Sequence, residues 1–290
     1  VTGKAVAIVH GAATIVNAIA LGKGAAFGVD LWTKAEVKLT NESGIIEAEI
    51  ASDPKESTLL IEKTAERILQ HFSFEKTFGA KVKTKSNIPI AKGLKSSSAA
   101  ANATALATTA ALGKTLNDLE IVKTGVEAAF DAKVTVTGAF DDACASYFGG
   151  IVVTDNLKRE ITKHLPFSKE DLTVLFHVPP QKAYTADSNI SRLKSVKPLV
   201  EIAYEKALEG NVWKALTLNG LIYSSASNFN TQIAIDALAA GAVASGLCGK
   251  GPAVTSVVPT DKIDAVKAVL QSYEGEILQA NLNSEKAKVL

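Results

Sequence analysis

The segment Pro89-Ile-Ala-Lys-Gly-Leu-Lys-Ser-Ser-Ser-Ala-Ala-Ala-Asn102 sets a glycine, two lysines and three consecutive hydroxyl side chains ahead of a run of alanines. Alanine is the strongest helix former, so Ser96 to Leu112 is expected to be a helix, with Gly113 at its C-terminal stop. A helix start has unpaired amides and the positive end of the backbone dipole. Here those amides and the Ser97 and Ser98 hydroxyls converge on one spot, which is what a phosphate requires. Lys92 and Lys95 would add positive charge beside it. An ordinary serine cap needs only one of these hydroxyls.

Two other clusters could carry chemistry. Gly246-Leu-Cys-Gly-Lys-Gly-Pro252 places three glycines within six residues, so its backbone can approach a ligand or another segment more closely than a simple turn would require. Thr137-Gly-Ala-Phe-Asp-Asp-Ala-Cys-Ala-Ser-Tyr-Phe-Gly-Gly150 holds two adjacent carboxylates, Asp141 and Asp142, in small and apolar surroundings. Such groups are costly to bury, so they are either solvated at a loop or held for acid–base or metal work. Two familiar phosphate motifs fail. Gly113-Lys114-Thr115 follows a helix and has Thr108 where a P-loop needs its first glycine, and Gly22 to Gly28 has the wrong spacing for a dinucleotide fingerprint.

The elements that must position these residues read as a mixed order. Strands are expected at Ala5 to Val9, Asp30 to Leu39, Lys81 to Asn87, Ile151 to Thr154, Leu172 to Val178, Ala253 to Val258 and Glu276 to Ala280. Helices are expected at Ser57 to His71, Leu119 to Phe130, Ser195 to Glu209, Val212 to Ser227, Ile233 to Ala244 and Lys262 to Tyr273, besides the alanine-rich one. This favours an α+β fold over a doubly wound sheet. No linker marks a cut, and two closely packed lobes are expected, 1–155 and 156–290.

Composition narrows the function classes. The chain has 290 residues, 47% hydrophobic and 21% charged, enough to bury a large core. Its 31 Lys and Arg against 30 Asp and Glu leave a net charge of +1, without the basic excess of a nucleic-acid or anionic-membrane binder. Two cysteines, Cys144 and Cys248, form neither a disulfide framework nor a zinc site, and a reducing, cytoplasmic setting fits them best. No apolar run reaches the length of a membrane helix.

The three clusters together resemble the GHMP small-molecule kinases in order and spacing, across nearly the whole chain. Within them, Gly11-Ala-Ala-Thr-Ile-Val-Asn17, Lys95-Ser-Ser-Ser-Ala-Ala-Ala-Asn102 and Val136-Thr-Gly-Ala-Phe-Asp-Asp-Ala143 are similar to the archaeal-type shikimate kinases. The resemblance implies a two-lobed α+β GHMP fold and ATP-dependent phosphorylation of the shikimate 3-hydroxyl, with Mg²⁺ and a small-molecule substrate. It implies no nucleic-acid or membrane partner and leaves the oligomeric state open. Homoserine kinase, another GHMP kinase or decarboxylase, and a silent ligand-sensing paralogue stay as alternatives. Residue by residue, it implies Pro89, Lys92, Gly93, Leu94, Lys95, Ser96, Ser97, Ser98 and Ala99 for ATP, and Ser97, Ser98 and Asp131 for the metal. Asp142 would be catalytic, with Lys23. Asn17, Asp30, Asp141, Arg192, Gly249 and Gly251 would face the substrate, with Arg192, in a segment starting at Ser188, on its carboxylate. Cys248 and Lys250 depart from the Ser and Thr common in the late loop.

Overall fold

Two long antiparallel strands, β1 (Lys4–Val16) and β2 (Lys23–Thr40), form the spine of the structure, a computed structural model that describes residues 3–167, 171–181 and 190–290. Leu31, Thr33, Ala35, Val37 and Leu39 are all buried, as the alternation predicts for one face of a strand. Both strands extend further than propensity suggests. From Lys23 to Phe27 the glycine-spaced stretch is itself strand, paired with β1 and with β5 (Ile151–Asp155). Burial between two partners suits its small residues.

Further along, β2 pairs with β4 (Gly79–Ser86), which in turn runs parallel to β3 (Ile46–Ile50). β6 (Glu160–Leu165) pairs with β5, and the last strand, β11 (Lys288–Val289), returns to β1. These make a seven-stranded sheet. A second, antiparallel sheet has the order β10-β7-β9-β8, from β7 (Leu172–Val178), β8 (Ala244–Leu247), β9 (Val254–Pro259) and β10 (Glu276–Asn281). Residue 155 ends β5, and the first sheet continues beyond it to Leu165 and takes back the C-terminal strand.

Against the first sheet lie α1 (Leu59–His71), α2 (Ser96–Ala111) and α4 (Phe140–Phe148), and α3 (Asp118–Asp131) packs on these three helices. The alanine-rich α2 touches β1 and β2 on one side and α1, α3 and α4 on the others. A helix surrounded in this way carries no polar stripe, and small side chains let its neighbours approach. Its buried Thr108 and Thr109 return their hydroxyls to the carbonyls of Thr104 and Ala105, 2.7 and 2.8 Å away. The remaining helices are α5 (Ile190–Ser195), α6 (Lys197–Leu208), α7 (Val212–Ala226), α8 (Gln232–Ala239) and α9 (Ile263–Leu270). Helix α7 packs against both β1 and β8, so it joins the two sheets.

Candidate active site

The start of α2 is shaped by its own loop. Lys95 takes the N-cap place in a left-handed conformation, φ 65°, and caps nothing with its side chain. The amides of Ser96, Ser97 and Ser98 follow as the first turn, without an acidic side chain to offset the dipole. Gly93, at φ 83°, lies so close to the late glycine loop that a Cβ there would meet the Cys248 carbonyl oxygen at 2.4 Å. Leu94 and Ala99 are buried anchors of this turn.

The paired carboxylates sit in the first turn of α4, where the helix dipole favours them. Both are buried, Asp142 6% and Asp141 2% exposed. Successive helical residues diverge, so the two serve different surroundings. Asp142 Oδ2 lies 3.0 Å from Lys95 Nζ in a buried ion pair, while its Oδ1 has no partner among the described residues. Burial opposes the Lys95 charge, yet Asp142, with Cys248 and Asp141 behind it, holds the ammonium above its ordinary value. Asp141 instead accepts a 2.8 Å hydrogen bond from Asn156 Nδ2 and packs on Gly24. Burial and then the Asp142 charge push its carboxyl up to about 7, against the pull of Asn156 and Lys95.

One cavity of about 480 Å³ joins these features. The three serines, Lys95, Asp141 and Asp142 line it, with Thr14 and Asn17 from the end of β1 and Lys250 and Gly251 from the late loop. Asn17 is fixed by the Asn219 Oδ1 that accepts from its amide and by Tyr223, whose hydroxyl donates to its carbonyl. An apolar wall follows, made by Ala101, Val126, Ala129, Val134 and Val136. Lys250 is brought down to about 8 by burial and by the Lys95 charge.

Several residues expected at the site are placed elsewhere. Lys23 is exposed, with its ammonium 5.8 Å from the Tyr204 ring centre, because the outward face of β2 carries it away from the cavity. Asp131 is bound to the Arg67 guanidinium at 2.5 and 2.9 Å on the α1–α3 side. Asp30 receives two 2.8 Å hydrogen bonds from Asn281 at the β10 end. The Arg192 guanidinium donates to Asn228 Oδ1 at 2.8 Å, and Ser188 lies outside the described residues. Lys92 turns from the serines to the carbonyls of Pro179, Pro180 and Gln181, 2.6, 2.6 and 2.7 Å away. Pro89 and Gly249 frame the loops without lining the cavity.

Asn156 and Lys133 to Thr135 lie outside the stretches singled out in the sequence, while Thr14, Asn102, Val136 and Thr137 lie inside them without an assigned role. Asn156 has no local signal, since only the turn from α4 into β5 brings it beneath Asp141. Lys250 stood out only as a departure from a common pattern.

Residues 60–150 match the family model of the GHMP kinases N terminal domain. A shikimate kinase of Methanococcoides burtonii is 45% identical over 286 residues, covering 98% of this chain and 97% of that protein. Among solved structures, the homoserine kinase from Cytophaga hutchinsonii has a TM-score of 0.74 at 16% identity, covering 99% of this chain and 97% of that one. A protein solved in complex with MVAPP, AMPPCP and magnesium has a TM-score of 0.77 at 16% identity, covering 100% and 99%. The structural likenesses carry the fold, and the full-length sequence likeness carries the family. The chain belongs to the family of the archaeal shikimate kinases, built on the GHMP kinase fold.

Proposed function

We propose that the chain transfers the terminal phosphoryl group of ATP to the 3-hydroxyl of shikimate, giving shikimate 3-phosphate and ADP. The observation that carries this reading is the single cavity joining the three-serine start of α2 to Asp142 on α4. Its apolar wall suits the face of a purine, and the α2 amides suit the phosphates.

Mg²⁺ fits the residues present. The Ser97 and Ser98 hydroxyls line the cavity at the helix start, and this ion takes most of its oxygens from phosphates and water. When bound there it would neutralise charge on the phosphate oxygens. Asp131, occupied by Arg67, is not part of that set.

Asp142 does the proton work. Lys95 holds its Oδ2, and Oδ1 is left to accept a hydrogen bond from the substrate hydroxyl. As the new O–P bond forms, the bond from phosphorus to the β-phosphate oxygen breaks. The hydroxyl proton passes to Asp142, and the electron pair leaves on ADP. Asp141 supports the α4 start from beneath, through Asn156. Both cysteines are free and buried, which suits the reducing cytoplasm in which we place the reaction.

The test is turnover of shikimate, homoserine and mevalonate with ATP and Mg²⁺, read by ADP release and by NMR of the product. Shikimate should be preferred, with phosphate on O3. Preference for homoserine overturns the substrate assignment, and no turnover of any of the three supports a silent ligand-binding protein.

A further inference from the structure

We propose that Lys250 is a catalytic residue of this chain, whose ammonium contacts the phosphoryl group during transfer. The inference rests on the kinase reading above. In transfer, negative charge spreads over the three outer oxygens of the phosphoryl group while its bond to the β-phosphate oxygen breaks and the bond to the substrate oxygen forms. A fixed cation on those oxygens stabilises that arrangement more than it stabilises bound ATP.

Among the described residues, three lysines line the cavity, Lys95, Lys133 and Lys250. Lys95 is engaged with Asp142 at 3.0 Å. Lys133 adjoins the apolar wall in sequence, next to Val134 and Val136. Lys250 directly follows Gly249, whose backbone abuts the Lys95 ammonium, and lines the same cavity as the Lys95–Asp142 pair, so it belongs to the reacting end, where both charges act on it.

The late loop is built to deliver it there. Gly249 and Gly251 flank it in the left-handed region, at φ 61° and 78°. A Cβ on Gly249 would sit 2.4 Å from Lys95 Nζ, so the absence of a side chain at 249 leaves room for the Lys95 ammonium. Before Lys250, the Cys248 thiol donates to the Gly93 carbonyl at 3.2 Å. After it, the Ala253 amide donates to the Lys92 carbonyl at 3.2 Å. The loop is thus tied to the phosphate loop on both sides of Lys250, and Lys250, between the ties, lines the cavity. Burial and the Lys95 charge weaken its hold on the proton, so an anionic group arriving there gains from both lysines.

Lys250→Met and Lys250→Arg test this, by steady-state kinetics with ATP, Mg²⁺ and shikimate and by equilibrium binding of ADP and of AMPPCP. In Lys250→Met, kcat should fall by about 10²- to 10³-fold, the range for removing one transition-state donor, with shikimate KM little changed. AMPPCP should bind about 10-fold more weakly, as for loss of a charge-assisted hydrogen bond, while ADP binds as before. Lys250→Arg should recover part of the kcat. Unchanged kcat in Lys250→Met overturns the inference. So does a loss confined to shikimate KM, which would make the lysine a carboxylate contact, or an equal loss of ADP and AMPPCP, which would mark loop damage. Failure of the unaltered chain to turn over shikimate strikes the substrate reading instead, and the AMPPCP-to-ADP ratio still reads the lysine.

Discussion

Asp141 and Asp142 are neighbours with different work, because residues one step apart on a helix point about 100° apart. Asp142→Asn keeps volume and hydrogen-bonding reach but cannot take the proton, so kcat should fall by about 10²- to 10⁴-fold while KM values stay near wild type. Asp141→Asn should cost much less, since its oxygen still accepts from Asn156. Collapse of turnover in Asp141→Asn with near-normal Asp142→Asn would reverse the assignment. Asp141 also predicts a pH effect. Its folded pKa, about 7, lies above the unfolded value of 3.8, so the folded state binds the extra proton between them. Stability from this group is therefore full below pH 3.8 and lost as pH rises through 7. The ligand-free protein should lose Tm from pH 5 to pH 8, and Asp141→Asn should lose less over the same interval. The DD pair was legible in the sequence, and its division of labour required α4, which orients the two side chains. Lys23, Asp30, Asp131 and Arg192 show the converse. A charged residue at a promising spacing says nothing of the partner that folding supplies, here Tyr204, Asn281, Arg67 and Asn228.

Strong local propensity made α2 readable to within one residue at its C-terminal end, and its serine start is where the element itself can be tested. Replacing Ser97 and Ser98 together by Ala should leave the melting temperature nearly unchanged, because alanine suits the first turn, while kcat and ATP affinity fall through loss of the two hydroxyls. Wild-type kinetics in this double variant would remove the hydroxyls from the mechanism. Weak or tertiary-dependent elements were not readable. Strand β8 is Ala-Ser-Gly-Leu, without a β-branched residue, and its first residue reads as the end of the preceding helix. It is a strand because β9 pairs with it and α7 lies against it. The contact is close enough that a Cβ on Gly220 of α7 would fall 2.4 Å from the Gly246 Cα of β8, with backbone on both sides. Gly220→Ala should therefore destabilise by about 1–3 kcal/mol, the usual cost of overpacking, seen as a lower Tm and a lower denaturant midpoint. An unchanged midpoint would mean that helix and strand separate more easily than this packing implies. Helix α4 escaped the sequence reading for another reason. It is only nine residues long and starts from a left-handed Ala139, and two acids at its head read equally well as a solvated loop.

At the scale of the whole molecule, the α+β class was legible from the mixed element order, whereas the layout of the sheets was not. Pairings such as Ala7 with Val289 depend on the path of the entire chain, which no local window contains. Lys92 belongs to this level. Its place in the serine segment suggests a phosphate cation, but its ammonium crosses to three carbonyls just beyond β7, and its own carbonyl accepts from Ala253 just before β9. It is a strut between the phosphate loop and the second sheet. Lys92→Met separates the two roles. A strut loses charge-assisted hydrogen bonds whose carbonyl partners are partly open to water, so stability should fall by about 1–3 kcal/mol. At roughly 2–4 °C for each kcal/mol in chains near this size, the loss is visible in thermal unfolding. A phosphate contact would behave otherwise, with Tm unchanged and the affinities for ADP and AMPPCP both sharply reduced. We expect the first pattern. Saturating ADP should then restore much of the lost Tm, because a ligand that binds only the folded state stabilises it by mass action whether or not the strut is present. If ADP restores none of it and its affinity has collapsed, Lys92 contacts the nucleotide and is not a strut.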